Sequence, residues 1–428
     1  MRAGWKGLAL VAGLVASGSA SAADPLGRAK PEDVGMSTDR LAILDRTLAS
    51  EVERKRLPGA VLAVARRGKL VHYRAYGRLD PTVDKPMPLD GIFAIASMTK
   101  PLVGVALMML QEEGKLSLND PVEQHIPELG NRRVAVMTDA VRAGENPTET
   151  VPARRSITLL DLARHTSGIT YGARGPTGVH KLYPASSNAA GETLDKAQFI
   201  QRLAAAPLLF QPGTVWDYSL SIDVLGLVVE RASGQPLGTF LNEQLLRPLG
   251  MTDTVFQAGP DKAARIARAY PNDPENGKPQ IVPDRSKPVM FECGGGCAAS
   301  TAGDYLRFAQ MLLNKGTLEE HRILGRKSVE LMTSNEMTPD IDNRIAVTDP
   351  NGAGYGFGVT VAVRPSAGGG AGIMGSPGDF YWNGAYGTIW WADPKEELAV
   401  VFMAQTPGNQ RREYRRLVNS GVYGAIVD

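Results

Sequence analysis

Ser97 and Lys100, in the run ASMTKPLVGVALMML (Ala96–Leu110), are residue types that can together open an ester or amide bond. On a helix, positions i and i+3 share a face, so the serine hydroxyl and the lysine amine can touch. The serine would also sit at a helix N-terminus, where the backbone dipole favours developing negative charge. A lysine rooted in so apolar a helix would be partly desolvated, which lowers its pKa and lets a neutral amine take a proton. Spacing alone carries little weight. With 21 Ser and 15 Lys in 428 residues, chance supplies about one such pair. The plain alternative is that Ser97 caps the helix and Lys100 is a solvated first-turn residue.

Two later segments carry groups that such chemistry needs. In QPGTVWDYS, a turn delivers Tyr218 just ahead of a helical pattern. A tyrosine near a lysine ammonium ionises more easily and can act as a base. Its plain alternative is a core aromatic with a satisfied hydroxyl. In FYWNGAYGT, Trp382, Asn383, Gly384 and Ala385 lead into a C-terminal strand. Gly384 would let a substrate approach the backbone closely, and a nearby N–H could serve as an oxyanion donor.

Other motifs fall away. Gly370–Gly375 matches G-x-G-x-x-G in form, but Ser-Pro-Gly follows where a helix should begin, so no dinucleotide site is expected. There is no G-x-S-x-G, no H-E-x-x-H and no P-loop. Of five histidines, His165 in ARHTSG fits turn and cap roles better than chemistry. The two cysteines, Cys293 and Cys297, bracket three glycines. They could form a disulfide or equally stay reduced, and two thiols alone make a poor zinc site. No metal and no cofactor are expected.

The elements that would position these residues follow from patterning. The start carries Arg2 and Lys6, the apolar Leu8–Val15 and a small-residue Ala20-Ser21-Ala22, which reads as a signal peptide over 1–22. A periplasmic or secreted location follows, with no integral membrane segment once the signal is removed. Losing Arg2 and Lys6 would cancel the formal charge of +2, so no nucleic-acid partner is expected. The composition does not give the oligomeric state.

A helical pattern at Thr38–Arg54 precedes a hairpin, Ala60–Ala65 and Lys69–Tyr76, turning at Arg66-Arg67-Gly68. From Pro101 the helix is apolar on every face and therefore buried all round, ending at Gly114. Helical patterns follow near Leu159–Arg164, Thr193–Ala205, Ser221–Arg231 and Leu237–Arg247. Another runs over Ala302–Leu313, where Thr301 and Asp304 suggest a capping box. Strands return at Tyr355–Val363, Gly384–Ala392 and Leu398–Gln405, before a helix from about Gln410. This predicts a mixed α/β (α+β) fold: one antiparallel sheet formed by both termini and flanked by helices, with a large helical insertion. Residues 23–95 and 290–428 would form the sheet domain, and 96–289 the helical domain carrying Ser97.

Taken in order, IASMTK, DYS and WNG resemble the three motifs of the serine β-lactamase and penicillin-binding-protein superfamily. The resemblance extends to LLDLARHTSGI, GDYLRFAQML and GAYGTIWWADP and covers nearly the whole mature chain. It is nearest to class C-like enzymes and family VIII carboxylesterases, and it implies the β-lactamase/transpeptidase-like fold. It further implies Ser97 as acylated nucleophile, Lys100 assisting its deprotonation and Tyr218 relaying protons. The N–H groups of Ser97 and Ala385 would form the oxyanion hole. Two positions depart from the lactamase pattern. Leu220 stands where an asparagine holds the substrate amide, and Trp382 where a lysine attracts the substrate carboxylate. These changes favour a small-molecule ester over a β-lactam. The expectation is therefore an exported carboxylesterase for short- to medium-chain esters. A class C-like β-lactamase, a D-alanyl-D-alanine carboxypeptidase and a low-turnover penicillin-binding protein are the alternatives.

Overall fold

A computed structural model describes residues 23–368 and 372–428. The signal-like segment 1–22, and Gly370 and Ala371 of the glycine-rich motif, lie outside the described residues.

Strand β1 (Gly59–Arg66) and β2 (Lys69–Asp80) form the expected hairpin. Its two-residue loop places Arg67 at φ 51° and Gly68 at φ 72°. Two left-handed residues in succession match the right-handed twist of the flanking strands. The sheet is completed by β3 (Lys85–Pro86), β4 (Gly356–Phe357), β5 (Ala362–Val363), β6 (Phe380–Asn383), β7 (Ile389–Asp393) and β8 (Leu398–Ala404). Its order is β4-β5-β6-β7-β8-β1-β2-β3, with every neighbouring pair antiparallel. The two halves of the sheet are joined by the pairing of β1 with β8, from Ala60 opposite Ala404 to Arg66 opposite Leu398.

Both of these central strands are buried along their whole length because helices cover both faces. On one face α7 (Ala302–Leu313) sets Tyr305 and Phe308 against Trp390 of β7, each at 5.7 Å between ring centroids. On the other, α1 (Thr38–Glu53) packs on α8 (Gln410–Tyr423), and Tyr414 meets Phe402 of β8. The helix-rich segment between holds α2 (Thr99–Glu112), α3 (Leu159–Ala163), α4 (Ser187–Thr193), α5 (Lys196–Ala205) and α6 (Ser221–Ser233). α2 is buried from Thr99 to Leu110, as its uniform apolarity demands. No helix among the described residues is long and apolar enough to cross a membrane.

Several boundaries differ from the sequence reading, each for a local reason. The stretch Tyr355–Val363 is two short strands, broken where Thr360 turns left-handed at φ 65°. Gly384–Ala392 is a turn followed by β7, because Gly384 to Thr388 closes the β6–β7 hairpin. α5 begins at Lys196, where Asp195 and Gln198 form a capping box. The Leu237–Arg247 helix changes to a wider π turn at Asn242–Leu246. Thr301 caps α7 by accepting from the Asp304 N–H, but the Asp304 carboxylate does not return the bond. It accepts instead from the Asp253 N–H and the Thr254 hydroxyl.

Candidate active site

Ser97 lies in a single 3-10 turn, Ala96–Met98, that runs straight into α2. Ala96 enters this turn left-handed at φ 45°, a conformation that costs a residue with a Cβ and persists only where the surroundings enforce it. Here they do. The Thr99 hydroxyl donates to Ala96 O at 2.7 Å, Tyr305 of α7 donates to Met98 O at 2.7 Å, and Ile95 N–H donates to Ala298 O at 3.1 Å. Within the buried run 91–100, Ser97 alone keeps partial exposure.

The helical spacing brings Lys100 Nζ to 3.3 Å from Ser97 Oγ. Lys100 also donates to the Tyr171 hydroxyl at 3.2 Å and to Gly295 O at 2.5 Å. Three acceptors occupy the three protons of an ammonium. Burial pushes the Lys100 charge down, but Tyr171, Tyr218 and the Asp223 carboxylate outweigh it and hold the pKa above the ordinary lysine value. This corrects the expectation of a neutral amine. The desolvation is real, and polar groups from distant segments overcome it.

Those groups form a closed ring. Tyr171 passes its proton toward Ser187 Oγ (2.8 Å), and the Ser187 hydroxyl donates to Asp223 Oδ2 (2.7 Å). Asp223 Oδ1 accepts from the Gly295 N–H at 2.8 Å, and the Gly295 carbonyl accepts from Lys100. Burial pushes the Asp223 carboxyl up to about 6, while Lys100, Ser187 and Gly295 pull it down. Tyr171, Ser187, Asp223 and Gly295 were not singled out in the sequence. The one available signal was Asp223 itself, a fully buried acid in the first turn of the apolar α6.

Tyr218 stands over Lys100, whose Nζ lies 4.6 Å from the ring centroid. The indole of Trp382 donates to the Tyr218 hydroxyl at 3.1 Å. The position expected to be apolar thus supplies a hydrogen bond to Tyr218. His165 packs against the Tyr218 ring at 4.6 Å, between Trp216 and Phe357. Its Nδ1 accepts from the Ser219 N–H at 3.3 Å, and burial drives its pKa well below the ordinary value. The neutral ring is a wall behind Tyr218. Leu220 is fully buried in the core, so it removes the lactamase amide group without offering a surface in its place.

The β6–β7 turn completes the site, with β6 lying against the Ser97 turn. Gly384 serves a different close approach from the one expected. A Cβ there would sit 2.5 Å from Ile95 O and collide with Thr388 Oγ1, so the glycine admits the Ser97 segment rather than a substrate. Ala385 follows and is exposed. Behind the turn, the buried Arg415 of α8 donates to Gly384 O at 2.7 Å, and the Asn383 amide donates to Asp349 at 2.6 Å. Among the described residues no cluster of His, Cys, Asp and Glu could hold a metal ion.

A family model described as Beta-lactamase matches residues 44–421. The chain belongs to the beta-lactamase family. Within it, esterase EstB of Burkholderia gladioli is 31% identical over 391 residues, 85% of this chain and 90% of EstB. An uncharacterized protein of Mycobacterium tuberculosis is 38% identical over 363 residues, 82% of this chain and 86% of that one. The solved structure of EstCE1, described as a hydrolase with promiscuous acyltransferase activity, superposes with a TM-score of 0.74 at 26% identity. That superposition covers 90% of this chain and 99% of EstCE1. The protein is a serine hydrolase of the beta-lactamase family, with the mixed α/β fold of that family.

Proposed function

We propose that this protein is an exported carboxylesterase, working in the periplasm or outside the cell, that cleaves short- to medium-chain esters through an acyl-Ser97 intermediate. One observation carries the reading: Lys100, with all three protons engaged, joins Ser97 Oγ to the ring of Tyr218, whose hydroxyl takes its hydrogen bond from Trp382. A lysine occupying that third-motif position would offer a substrate carboxylate a cation; Trp382 offers none. The likeness to EstB, an esterase by name, supports the same choice.

In this mechanism the Lys100 ammonium stabilises negative charge on Ser97 Oγ and cannot itself take the proton. Tyr218 is left to accept it. The Trp382 N–H donates to its hydroxyl, and Lys100 Nζ and the Arg174 guanidinium lie 4.6 Å and 5.7 Å from its ring centroid. Ser97 Oγ attacks the ester carbonyl, and the oxyanion is met by the N–H groups of Ser97 and Ala385. Tyr218 returns the proton to the departing alcohol, leaving acyl-Ser97. Water then attacks the acyl carbon, giving its proton to Tyr218, which passes it to Ser97 Oγ as the acyl C–Oγ bond breaks and the acid leaves. Trp382 and Asn383 border the acyl site.

A second reading rests on the likeness to EstCE1: an alcohol replaces water as acceptor in the last step, giving transesterification. The test is a panel on purified protein. p-Nitrophenyl butyrate should be cleaved, the Ser97→Ala protein should be inactive, and added butanol should divert part of the acyl group to butyl butyrate. A kcat/KM that favours a chromogenic cephalosporin over the ester would instead assign a β-lactamase.

A further inference from the structure

Cys293 and Cys297 are joined by a disulfide that closes the loop CGGGC. We propose that this bridge is a positioning element for Lys100, holding the Gly295 carbonyl where the ammonium needs its acceptor. The kinetic consequence rests on the esterase reading; the placement of Lys100 does not.

Each glycine of the loop is pressed against a neighbour. A Cβ on Gly294 would lie 2.7 Å from Ile222 O, one on Gly295 would collide with Asp223 and Ser187, and one on Gly296 would touch Ser187 Cβ at 3.3 Å. The loop therefore fits its slot against α6 and α4 only with glycine at positions 294 and 295, and Gly296 is closely packed beside them. Three consecutive glycines are also the least self-constrained backbone available. Something else must restrict them, and the covalent bridge does so by removing open conformations of the segment. Gly295 is the residue that matters, bonded through its N–H to Asp223 and through its carbonyl to Lys100.

The bridge also touches the other side of the ring. Both cysteines are fully buried. A Cβ on Gly191 of α4 would lie 2.8 Å from Cys297 Sγ and 3.2 Å from Cys293 Sγ. Gly191 sits one turn beyond Ser187, which links Tyr171 to Asp223. One covalent clip thus braces two members of the ring that holds Lys100, and these are the only cysteines in the chain.

The test compares wild type with Cys293→Ser/Cys297→Ser. Thermal melts and circular dichroism serve as the check on folding. With p-nitrophenyl butyrate, kcat should fall about 10- to 100-fold while KM stays within about twofold, since only the position of Lys100 is disturbed. Independently of turnover, Lys100 is labelled with acetic anhydride in a Ser97→Ala background and read by peptide mass spectrometry. Loss of the bridge should raise Lys100 labelling several-fold relative to exposed lysines. If the serine pair does not fold, the same readings are taken on native wild type reduced by dithiothreitol. That reagent delivers two electrons and two protons, turning the S–S bond into two thiols and itself into a cyclic disulfide; reoxidation should restore kcat. Unchanged Lys100 labelling overturns the proposal, whether or not kcat falls. An inactive wild type whose Lys100 opens on loss of the bridge rejects the esterase reading and keeps the anchor.

Discussion

Lys100 shows how far a residue's chemistry can depend on partners remote in sequence. Its neighbours, LVGVALMML, describe a desolvated amine, and burial does oppose its charge. The hydroxyl of Tyr171, the carbonyl of Gly295 and the Asp223 carboxylate reverse the outcome. Asp223 then sets a pH limit. Its folded pKa of about 6 lies above the ordinary 3.8, so it is ionised at pH 7 to 8 and gains its proton as pH falls through about 6. Protonation removes the anion that supports Lys100. kcat should therefore drop on the acid side with a midpoint near 6, and Asp223→Asn should abolish that limb while lowering the plateau. A wild-type profile flat from pH 8 to 5 would count against this role. Trp382→Phe tests the other partner: loss of one hydrogen bond to Tyr218 should cost about tenfold in kcat with KM little changed.

At the scale of elements, the site depends on how closely β6 and its turn approach the Ser97 segment. Gly384→Ala inserts a methyl against Ile95 O and Thr388. Overpacking of this kind costs about 1–3 kcal/mol, which urea denaturation should detect, and activity should fall more steeply because Ile95 is two residues from the nucleophile. Equal activity and stability in that variant would mean the turn adjusts freely. Patterning made the strong elements legible. The turn at Arg67-Gly68, the all-round apolarity of α2 and the Thr301 cap of α7 are local signals, and the structure carries each. The Gly384 turn reads as strand because TIWWA is strongly β-prone, whereas Gly387 at φ 112° and the Gly384–Thr388 bond close a hairpin there and Gly384 packs on Ile95. Contacts of that kind, and the ring through residues 171, 187, 223 and 295, join segments far apart in sequence and leave no periodic trace.

For the whole molecule, the sheet built from residues 59–86 and 356–404 holds β6 and its turn against the Ser97 turn, and the segment between supplies Tyr171 from a loop and Ser187 and Asp223 from α4 and α6. Ser97, Lys100, Tyr218 and Trp382, picked out by motif, meet in one place. The substrate preference follows from what surrounds them. The direct measurement is of the intermediate itself. Protein mixed with p-nitrophenyl butyrate, quenched in acid within the first turnovers and weighed intact, should gain one butyryl group, mapped by peptide fragmentation to Ser97 and absent from Ser97→Ala. Ester hydrolysis without that adduct, or with equal rate in Ser97→Ala, would contradict an acyl-Ser97 mechanism.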